Sequence, residues 1–200
     1  MSLEAWALTT LADTKLFLRI FNEAQFDAEL EALINEVSAR TDIYCGRRLK
    51  STVYQKTVSP ASDTRLVLDG NGRIRIRLPQ FPVTTLTSAV SVEGGVETAL
   101  DLTNARVDVE AGIVTLDADI WTAGEQNILV TCTAGYLATT HARELLVLRR
   151  AAHLWLATWW LEQKNAVSGA IEVEGVKLPE EDPPARVAQI LEPFVRKEWG

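Results

Sequence analysis

Helical periodicity marks the N-terminal part of the chain. Apolar side chains recur at intervals of three and four positions over residues 30–37, and Asp27 precedes them as a good N-cap residue. A shorter helix is predicted over residues 11–19, because Thr10 and the acid three positions later form a capping-box-like start. Gly46 is expected to end the second helix in the left-handed conformation. The pattern therefore predicts two helices in this region.

The middle of the chain, residues 50–133, has the pattern of short β-strands separated by glycine-bearing turns. The predicted strands are "TVYQKTV", "RLVL", "RIRIRL", "TSAVSV", "ARVDV", "IVTL" and "NILVTCT". The turn "DGNG" is expected to join residues 65–68 and 73–78 in a hairpin. Pro79 and Pro82 are expected to end its second strand, because proline cannot join a central ladder.

Helical patterning returns after a sharp corner, "TAGY", that follows the last predicted strand. A long helix is predicted over residues 141–164, and its apolar residues cover most of its circumference. A loop follows, and a last helix is predicted from Pro183 and Pro184 toward Trp199, since proline is tolerated in the first helical turn. The first stripe of the long helix holds Leu145, Leu148, Ala152, Trp155 and Trp159, and the second holds Val147, Ala151, Leu154, Thr158 and Leu161.

The order of these segments predicts an α+β fold. Residues 1–49 and 134–200 are expected to form a helical body, a bundle of about four helices. Residues 50–133 are expected to form a small antiparallel β-sandwich or barrel lobe, inserted between the second and third helices. The helices on either side of the lobe must pack together for each to bury its apolar stripe.

Composition narrows the class of protein. The chain has 200 residues, of which 47% are hydrophobic and 24% charged, as in globular domains. Its net charge of −7 argues mildly against a protein that coats nucleic acid. The N-terminus lacks the basic region of a signal peptide, and no apolar run is long enough to predict a membrane span. Cys45 and Cys132 are expected to be reduced thiols in a reducing compartment.

No catalytic, cofactor or metal site is predicted. Cys132 lies in the middle of a predicted strand, where nothing stabilises a thiolate. His141 and His153 lie twelve positions apart on one helix, or roughly 18 Å along its axis, so they cannot serve one site. The histidines and cysteines lack zinc-site spacing, and no phosphate-binding loop occurs. We expect a protein that is not an enzyme.

The long helix is the main candidate for an interface. A helix that is apolar all round is either the central helix of one subunit or a helix shared between subunits. Tryptophan is favoured at interfaces, which makes Trp155, Trp159 and Trp160 candidates, with Trp160 facing a neighbour. Phe194 and Trp199 near the C-terminus either bind a partner or fold back on the core.

A second candidate is the arginine stripe of the segment "RIRIRL". Alternation predicts that Ile74 and Ile76 face the core while Arg73, Arg75 and Arg77 line an exposed face. The stripe could contact an acidic partner surface or passing DNA. The favoured reading is that it only keeps the sheet face soluble and protected from edge pairing.

Several segments, taken in order, resemble one family. They are "LTTLADTKLFLRI" with the helix at Asp27, "YCGRRL" before a strand, "LPQFPVTTLTSAVSV", and "VTCTAGY" before a long helix. This order, over about residues 8–164, resembles the head-to-tail connector proteins of long-tailed phages and phage-like gene transfer agents, also called adaptor or head-completion proteins.

The resemblance implies a structural protein. Such proteins assemble as a ring, usually twelve-fold, beneath the portal protein and extend the DNA channel. They present a docking surface to a tail-side stopper or tail-terminator protein, and double-stranded DNA passes through without specific binding. The resemblance implies a location in the neck of the virion or particle, after assembly in the bacterial cytoplasm, and no membrane partner.

Two other functions remain open. In the first, the chain is a binding module whose β lobe holds a ligand or a protein, which predicts a concave apolar pocket in the lobe. In the second, it is a hydrolase, which needs titratable side chains that converge in a cleft.

Overall fold

The computed structural model describes residues 2–20, 23–57, 63–117, 119–167 and 182–196. The chain divides into two compact units, one formed by Met1–Lys50 with Leu137–Gly200 and the other by Ser51–Tyr136. Helices make up the first unit and antiparallel strands the second. The prediction of an α+β fold with about four helices and an inserted antiparallel lobe is therefore confirmed. None of the described helices is long and apolar enough to cross a membrane.

The helical unit begins with helices α1 (Leu11–Leu18) and α2 (Asp27–Cys45). The Thr10 side chain caps α1 by accepting the backbone N–H of Asp13 at 3.1 Å, as the sequence predicted. Asp27 is the first residue of α2 rather than its N-cap, because a 3₁₀ turn at Ala24–Phe26 leads directly into the helix.

Gly46 ends α2 as predicted, in the left-handed conformation with φ +67°. The apolar stripe of α2, including Leu30, Ile34 and Val37, is buried. This face packs against α3 (Ala142–Val167), the long helix of the unit.

The C-terminal helix differs from its prediction. Helix α4 (Ala185–Leu191) packs on α3 and ends well before Trp199, and a 3₁₀ turn, Glu192–Phe194, follows it. Pro193 lies inside that turn, where its ring and missing N–H oppose a continuing α-helix. Trp199 lies outside the described residues.

The β unit contains two antiparallel sheets. The strands are β1 (Thr52–Tyr54), β2 (Leu66–Gly70), β3 (Arg75–Arg77), β4 (Val83–Glu93), β5 (Val96–Ala99), β6 (Arg106–Asp108), β7 (Ile113–Thr115) and β8 (Gly124–Ala134). In the larger sheet β8 pairs with β4 on one side and with β1 and β2 on the other, and β5 forms the edge beyond β4. The smaller sheet has the order β3-β7-β6.

Two strand predictions need correction. The predicted hairpin across "DGNG" is wrong, because β2 pairs with β8 and β3 pairs with β7. The sequence prediction also missed β5, whose residues are all exposed. This strand lacks the buried alternate positions that make a strand visible in sequence, and pairing with β4 across the Gly94-Gly95 turn defines it.

The inner faces of the strands build one core. Ile76 of β3 and Val114 of β7 are buried neighbours in register, with Trp121 and Ile128 in the same cluster. Ile74 was predicted to face this core, but it is 50% exposed. It precedes β3, and the strict alternation of side chains therefore does not extend to it.

The "TAGY" corner joins the two places where the chain enters and leaves the β unit. The backbone N–H of Ser51 donates to the carbonyl of Tyr136 at 3.0 Å, and the N–H of Gly135 donates to the carbonyl of Pro82 at 2.8 Å. Gly135 has φ +108°, a conformation that favours glycine. The corner thus ties the end of β8 to the beginning of the lobe.

An ion-pair network connects opposite edges of the larger sheet. Arg65, just before β2, donates to Asp63 at 2.7 Å and to Glu97 of the edge strand β5 at 2.9 Å. Lys56 also contacts Glu97, at 2.8 Å. The two edges can meet only because the sheet curls. These cations lower the pKa of Glu97 to about 2, mainly through its hydrogen bond from Arg65.

We expect Arg65→Lys to lower the urea midpoint of unfolding. A lysine cannot hold the two-sided geometry of a guanidinium between Asp63 and Glu97. Arg106→Lys is the matched control, because Arg106 is exposed and its ion pair with Asp117 is long, at 3.9 Å, and therefore weak. Equal midpoints for Arg65→Lys and the unaltered protein would show that the network contributes nothing measurable.

Candidate assembly surface

The three candidate tryptophans lie inside the helical unit. Trp155, Trp159 and Trp160 are 0%, 4% and 5% exposed. The rings of Trp155 and Trp159 meet edge to face, with centroids 5.9 Å apart, and Trp160 meets Phe26 at 5.3 Å in the same geometry. These side chains stabilise the subunit itself. Whether any of them also contacts a neighbouring subunit stays a prediction.

An apolar strip on α3 remains exposed. Leu146, Val147 and Leu161 are 58%, 40% and 59% exposed, and Leu154 is partly exposed between them. At 100° per residue these four positions fall within an arc of roughly 100°. We call them the α3 strip. Three of its members belong to the second apolar stripe that was predicted for this helix from the sequence.

The α3 strip is flanked by positive charge. Arg143 and Arg150 project from the same side of the helix by the helical geometry, and both are exposed. Glu144, the acid of the first turn, lies about 100° from the centre of the arc. Among the described side chains of α3, the strip therefore combines apolar and basic residues. Such a surface suits an acidic or apolar partner.

A second apolar surface lies at the end of α2. Ile43 is 78% exposed and lies on the side of α2 opposite its buried stripe. It lines an open cavity of about 320 Å³ together with Ala39, Asp42, Gly46, Arg47 and Arg48. We call this the α2 cavity. The sequence analysis missed it, because a single exposed isoleucine leaves no periodic signal.

Asp42 holds the α2 cavity together. Its carboxylate accepts the backbone N–H of Leu49 at 3.0 Å and a hydrogen bond from Arg48 at 3.2 Å. Burial nevertheless raises its pKa to about 6, since desolvation outweighs these bonds. Asp42 therefore has a structural role, and a large share of its carboxyl group is protonated at mildly acid pH.

Phe194 lies in the core near the C-terminal end of α2. It is buried, and its carbonyl accepts a hydrogen bond from the Arg47 side chain at 3.2 Å. The next turn is tied by the backbone N–H of Arg196, which donates to the carbonyl of Cys45 at 2.9 Å. Of the two alternatives for Phe194, the described subunit shows the aromatic folded back on the core.

The three arginines of the predicted stripe separate in the structure. Arg73 precedes β3, and its carbonyl accepts the backbone N–H of Trp121 at 2.9 Å. The Arg77 guanidinium lies 5.5 Å from the ring centre of Phe81. Arg75 lines an open cavity of about 540 Å³ on the smaller sheet, and Arg106 lines the same cavity. The sequence analysis did not single out Arg106, because only the pairing of β6 with β7 brings it to this face.

Both cysteines are buried thiols. Burial raises the pKa of Cys45 to about 12 and that of Cys132 to about 11, so both thiols stay protonated. No cluster of three or more metal-ligating side chains occurs among the described residues.

His153 is a buried polar group of α3. Its Nε2 lies 2.7 Å from the hydroxyl of Thr9, and its ring stacks on Phe17 with centroids 4.7 Å apart. Burial lowers the pKa of His153. Of the nearby ion pair, the Asp13 carboxylate raises this pKa and the Arg149 guanidinium lowers it. His153 thus links α1 to α3 in its neutral form.

The described residues thus form an α+β fold in which the helical unit has two exposed apolar surfaces, the α3 strip and the α2 cavity. The sequence matches the family model for the head completion protein over residues 7–197. Because the match spans nearly the whole chain, the protein belongs to the head completion protein family, a structural family of phage particles, as the resemblance implied. No curated protein matches the chain.

Two solved structures share the fold. One is a chain from the neck of an empty gene transfer agent (GTA) particle computed with C6 symmetry, with a TM-score of 0.66 and 18% sequence identity. The alignment covers 100% of this chain and 95% of that one. The other is from the virion of a native GTA particle, with a TM-score of 0.61, 17% identity, and coverage of 100% and 94%. At these identities the likeness establishes the fold.

Replacement of a buried tryptophan should destabilise the subunit strongly. We expect Trp155→Ala to cost about 3–5 kcal/mol in the free energy of unfolding, because it removes a fully buried ring and leaves a cavity. Trp160→Ala should also destabilise, since that ring packs on Phe26. Leu146→Ala is the matched control on the same helix, with a change within about 0.5 kcal/mol. Chemical denaturation followed by circular dichroism measures the free energy of unfolding of all three variants. A Trp160→Ala variant as stable as the unaltered protein would contradict the packing of Trp160 on Phe26.

His153 should make stability depend on pH. Its folded-state pKa is lowered, so its contribution is present above the unfolded-state pKa, about 6.5, and is lost as pH falls through the folded value. We therefore expect the stability advantage of the unaltered protein over His153→Gln to be larger at pH 7.5 than at pH 5.5. Urea midpoints at the two pH values measure this difference, and an advantage independent of pH would contradict it.

The contribution of Asp42 to stability should depend on pH in the direction opposite to that of His153. The pKa of Asp42 is raised in the folded state, so its contribution is present below about 3.8 and is lost as pH rises through about 6. The stability of Asp42→Asn relative to the unaltered protein should therefore increase from pH 5.5 to pH 7.5. Comparison of the two variants separates the two titrations, which overlap in the unaltered protein.

Proposed function

We propose that the protein is a head-to-tail connector subunit in the neck of a phage or gene transfer agent particle. Subunits assemble as a ring beneath the portal protein, extend the DNA channel, and dock a tail-side stopper or tail-terminator protein. The observation that carries this proposal is the head completion family match over residues 7–197. The fold shared with a chain of a GTA particle neck supports it. Assembly takes place in the bacterial cytoplasm.

Two exposed apolar surfaces of the helical unit support the proposal of a ring. A ring is built from a heterologous interface, in which two different faces of each subunit meet. The α3 strip and the α2 cavity lie on the outer sides of two helices that pack through their buried faces. Each is partly apolar, and exposed apolar area of this kind marks interaction sites. We assign the α3 strip to one side of the subunit contact and the α2 cavity to the other.

Twelve copies remain the proposed number. The neck of the related GTA particle was computed with C6 symmetry, which is compatible with rings whose copy number is a multiple of six. The net charge of −7 suits a channel wall that lets DNA pass without holding it.

The two alternative functions have less support. A binding module was expected to have a concave apolar pocket in the β lobe, whereas the cavity on the smaller sheet is open and contains two arginines and an aspartate. A hydrolase was expected to have convergent titratable groups in a cleft, whereas the buried thiols have raised pKa values. The connector therefore remains the leading proposal.

The ring proposal predicts a specific effect of charge on α3. Leu161→Glu should abolish ring formation, alone or on the portal encoded beside this protein, because it places a carboxylate in a contact that must be desolvated. The urea midpoint of the subunit should stay unchanged, because Leu161 is exposed. Negative-stain imaging with and without portal measures assembly.

Glu125→Gln is the matched control, an exposed position on the β unit that should leave assembly intact. Rings formed by Leu161→Glu as readily as by the unaltered protein would remove the α3 strip from the contact. A monomer indifferent to portal under every condition would overturn the connector function itself.

A further inference from the structure

The open face of the smaller sheet carries two arginines that line one cavity. Arg75 of β3 and Arg106 of β6 are both in register with Thr115 of the central strand β7. Their Cα atoms are therefore separated by two strand spacings, or roughly 10 Å. Ile76 and Val114 in the adjacent row point into the core, so the Arg75-Thr115-Arg106 row points outward. The row lines the cavity of about 540 Å³.

The positive charge of this row is only partly compensated. Among the described residues Arg75 has no ion-pair partner, and Arg106 lies 3.9 Å from Asp117 with both side chains exposed. Asp108 also lines the cavity, and it keeps its negative charge while its Oδ1 accepts the backbone N–H of Ala111 at 3.1 Å. The charged side chains of the lining are therefore two arginines and one aspartate, a formal surplus of one positive charge. One added carboxylate matches this surplus.

The remaining lining of the cavity is apolar. Ile74 and Ile113 contribute to it, and Ile74 is half exposed. Val107 also borders the cavity, but it pairs with Val114 and packs against the core. A duplex would bring a continuous row of phosphates toward Asp108 and Asp117 as well as toward the arginines. An acidic side chain flanked by apolar residues satisfies both the guanidinium groups and the apolar lining. The surface therefore favours a protein segment over DNA.

We propose that the Arg75-Thr115-Arg106 face is a docking site for an acidic, apolar-flanked segment of a partner protein. One carboxylate of the segment accepts hydrogen bonds from Arg75 and Arg106, as guanidinium–carboxylate pairs do. The apolar flanks of the segment cover Ile74 and Ile113. The site lies on the β unit, does not depend on ring formation, and can be tested on the isolated subunit.

The test is a binding titration at low salt with a labelled, capped peptide of alternating leucine and glutamate. A leucine–glutamine peptide and a DNA duplex serve as comparison ligands. We expect the acidic peptide to bind, and Arg75→Gln or Arg106→Gln to weaken binding about tenfold, the loss of one charge-assisted pair. Arg73→Gln is the matched control, because Arg73 does not line the cavity.

Three results would overturn the proposal. The first is no binding of the acidic peptide, and the second is equal binding by Arg75→Gln, Arg106→Gln and the unaltered protein. The third is duplex binding that is stronger than peptide binding and is lost in the same two variants, which would assign the face to DNA. Urea midpoints of each variant establish that the fold is retained, and nuclear magnetic resonance signals of the Arg75 and Arg106 Nε–H groups report contact directly.

Discussion

Burial of one side of α3 is the constraint on which the helical unit depends. Leu148, Ala152, Trp155 and Trp159 form a stripe that is removed from water by packing against α2 and α4. Those helices come from opposite ends of the sequence, so the chain must return to its starting point after the β unit. Hydrogen bonds fix the segments around this contact: Thr9, before α1, bonds His153 of α3, and Arg47, after α2, bonds the carbonyl of Phe194, after α4. Burial supplies the larger share, because a buried tryptophan outweighs a single hydrogen bond.

The same constraint determines which surface of α3 stays exposed. Because the indoles are buried inside the subunit, the exposed part of α3 is lined by Leu146, Val147, Leu154 and Leu161. The helix thus carries both a buried face and an exposed apolar face. An exposed apolar face of this kind is typical of interaction sites.

The β unit follows a different rule. Its long strand β8 pairs on both sides, and the curl of the sheet brings Glu97 at one edge to Arg65 at the other. Charged side chains at the edges of a sheet limit unwanted strand pairing. The smaller sheet turns one row inward and leaves Arg75 and Arg106 outside. The exposed surface is therefore charged on this sheet and apolar along α3.

The fold class, the presence of four helices, most strands and the end of α2 at Gly46 could be predicted from the sequence, because local periodicity, capping and turn chemistry are short-range properties. The family could be predicted from the order of several segments along the chain. Contacts in the folded subunit determine which apolar residues of α3 are buried, that β2 pairs with β8 rather than with β3, and that Phe194 faces the core. They also place Arg106 and Arg75, two positions far apart in the chain, on one face of the smaller sheet. Pairing and burial depend on contacts between distant residues, and a local pattern is the same whichever partner satisfies it.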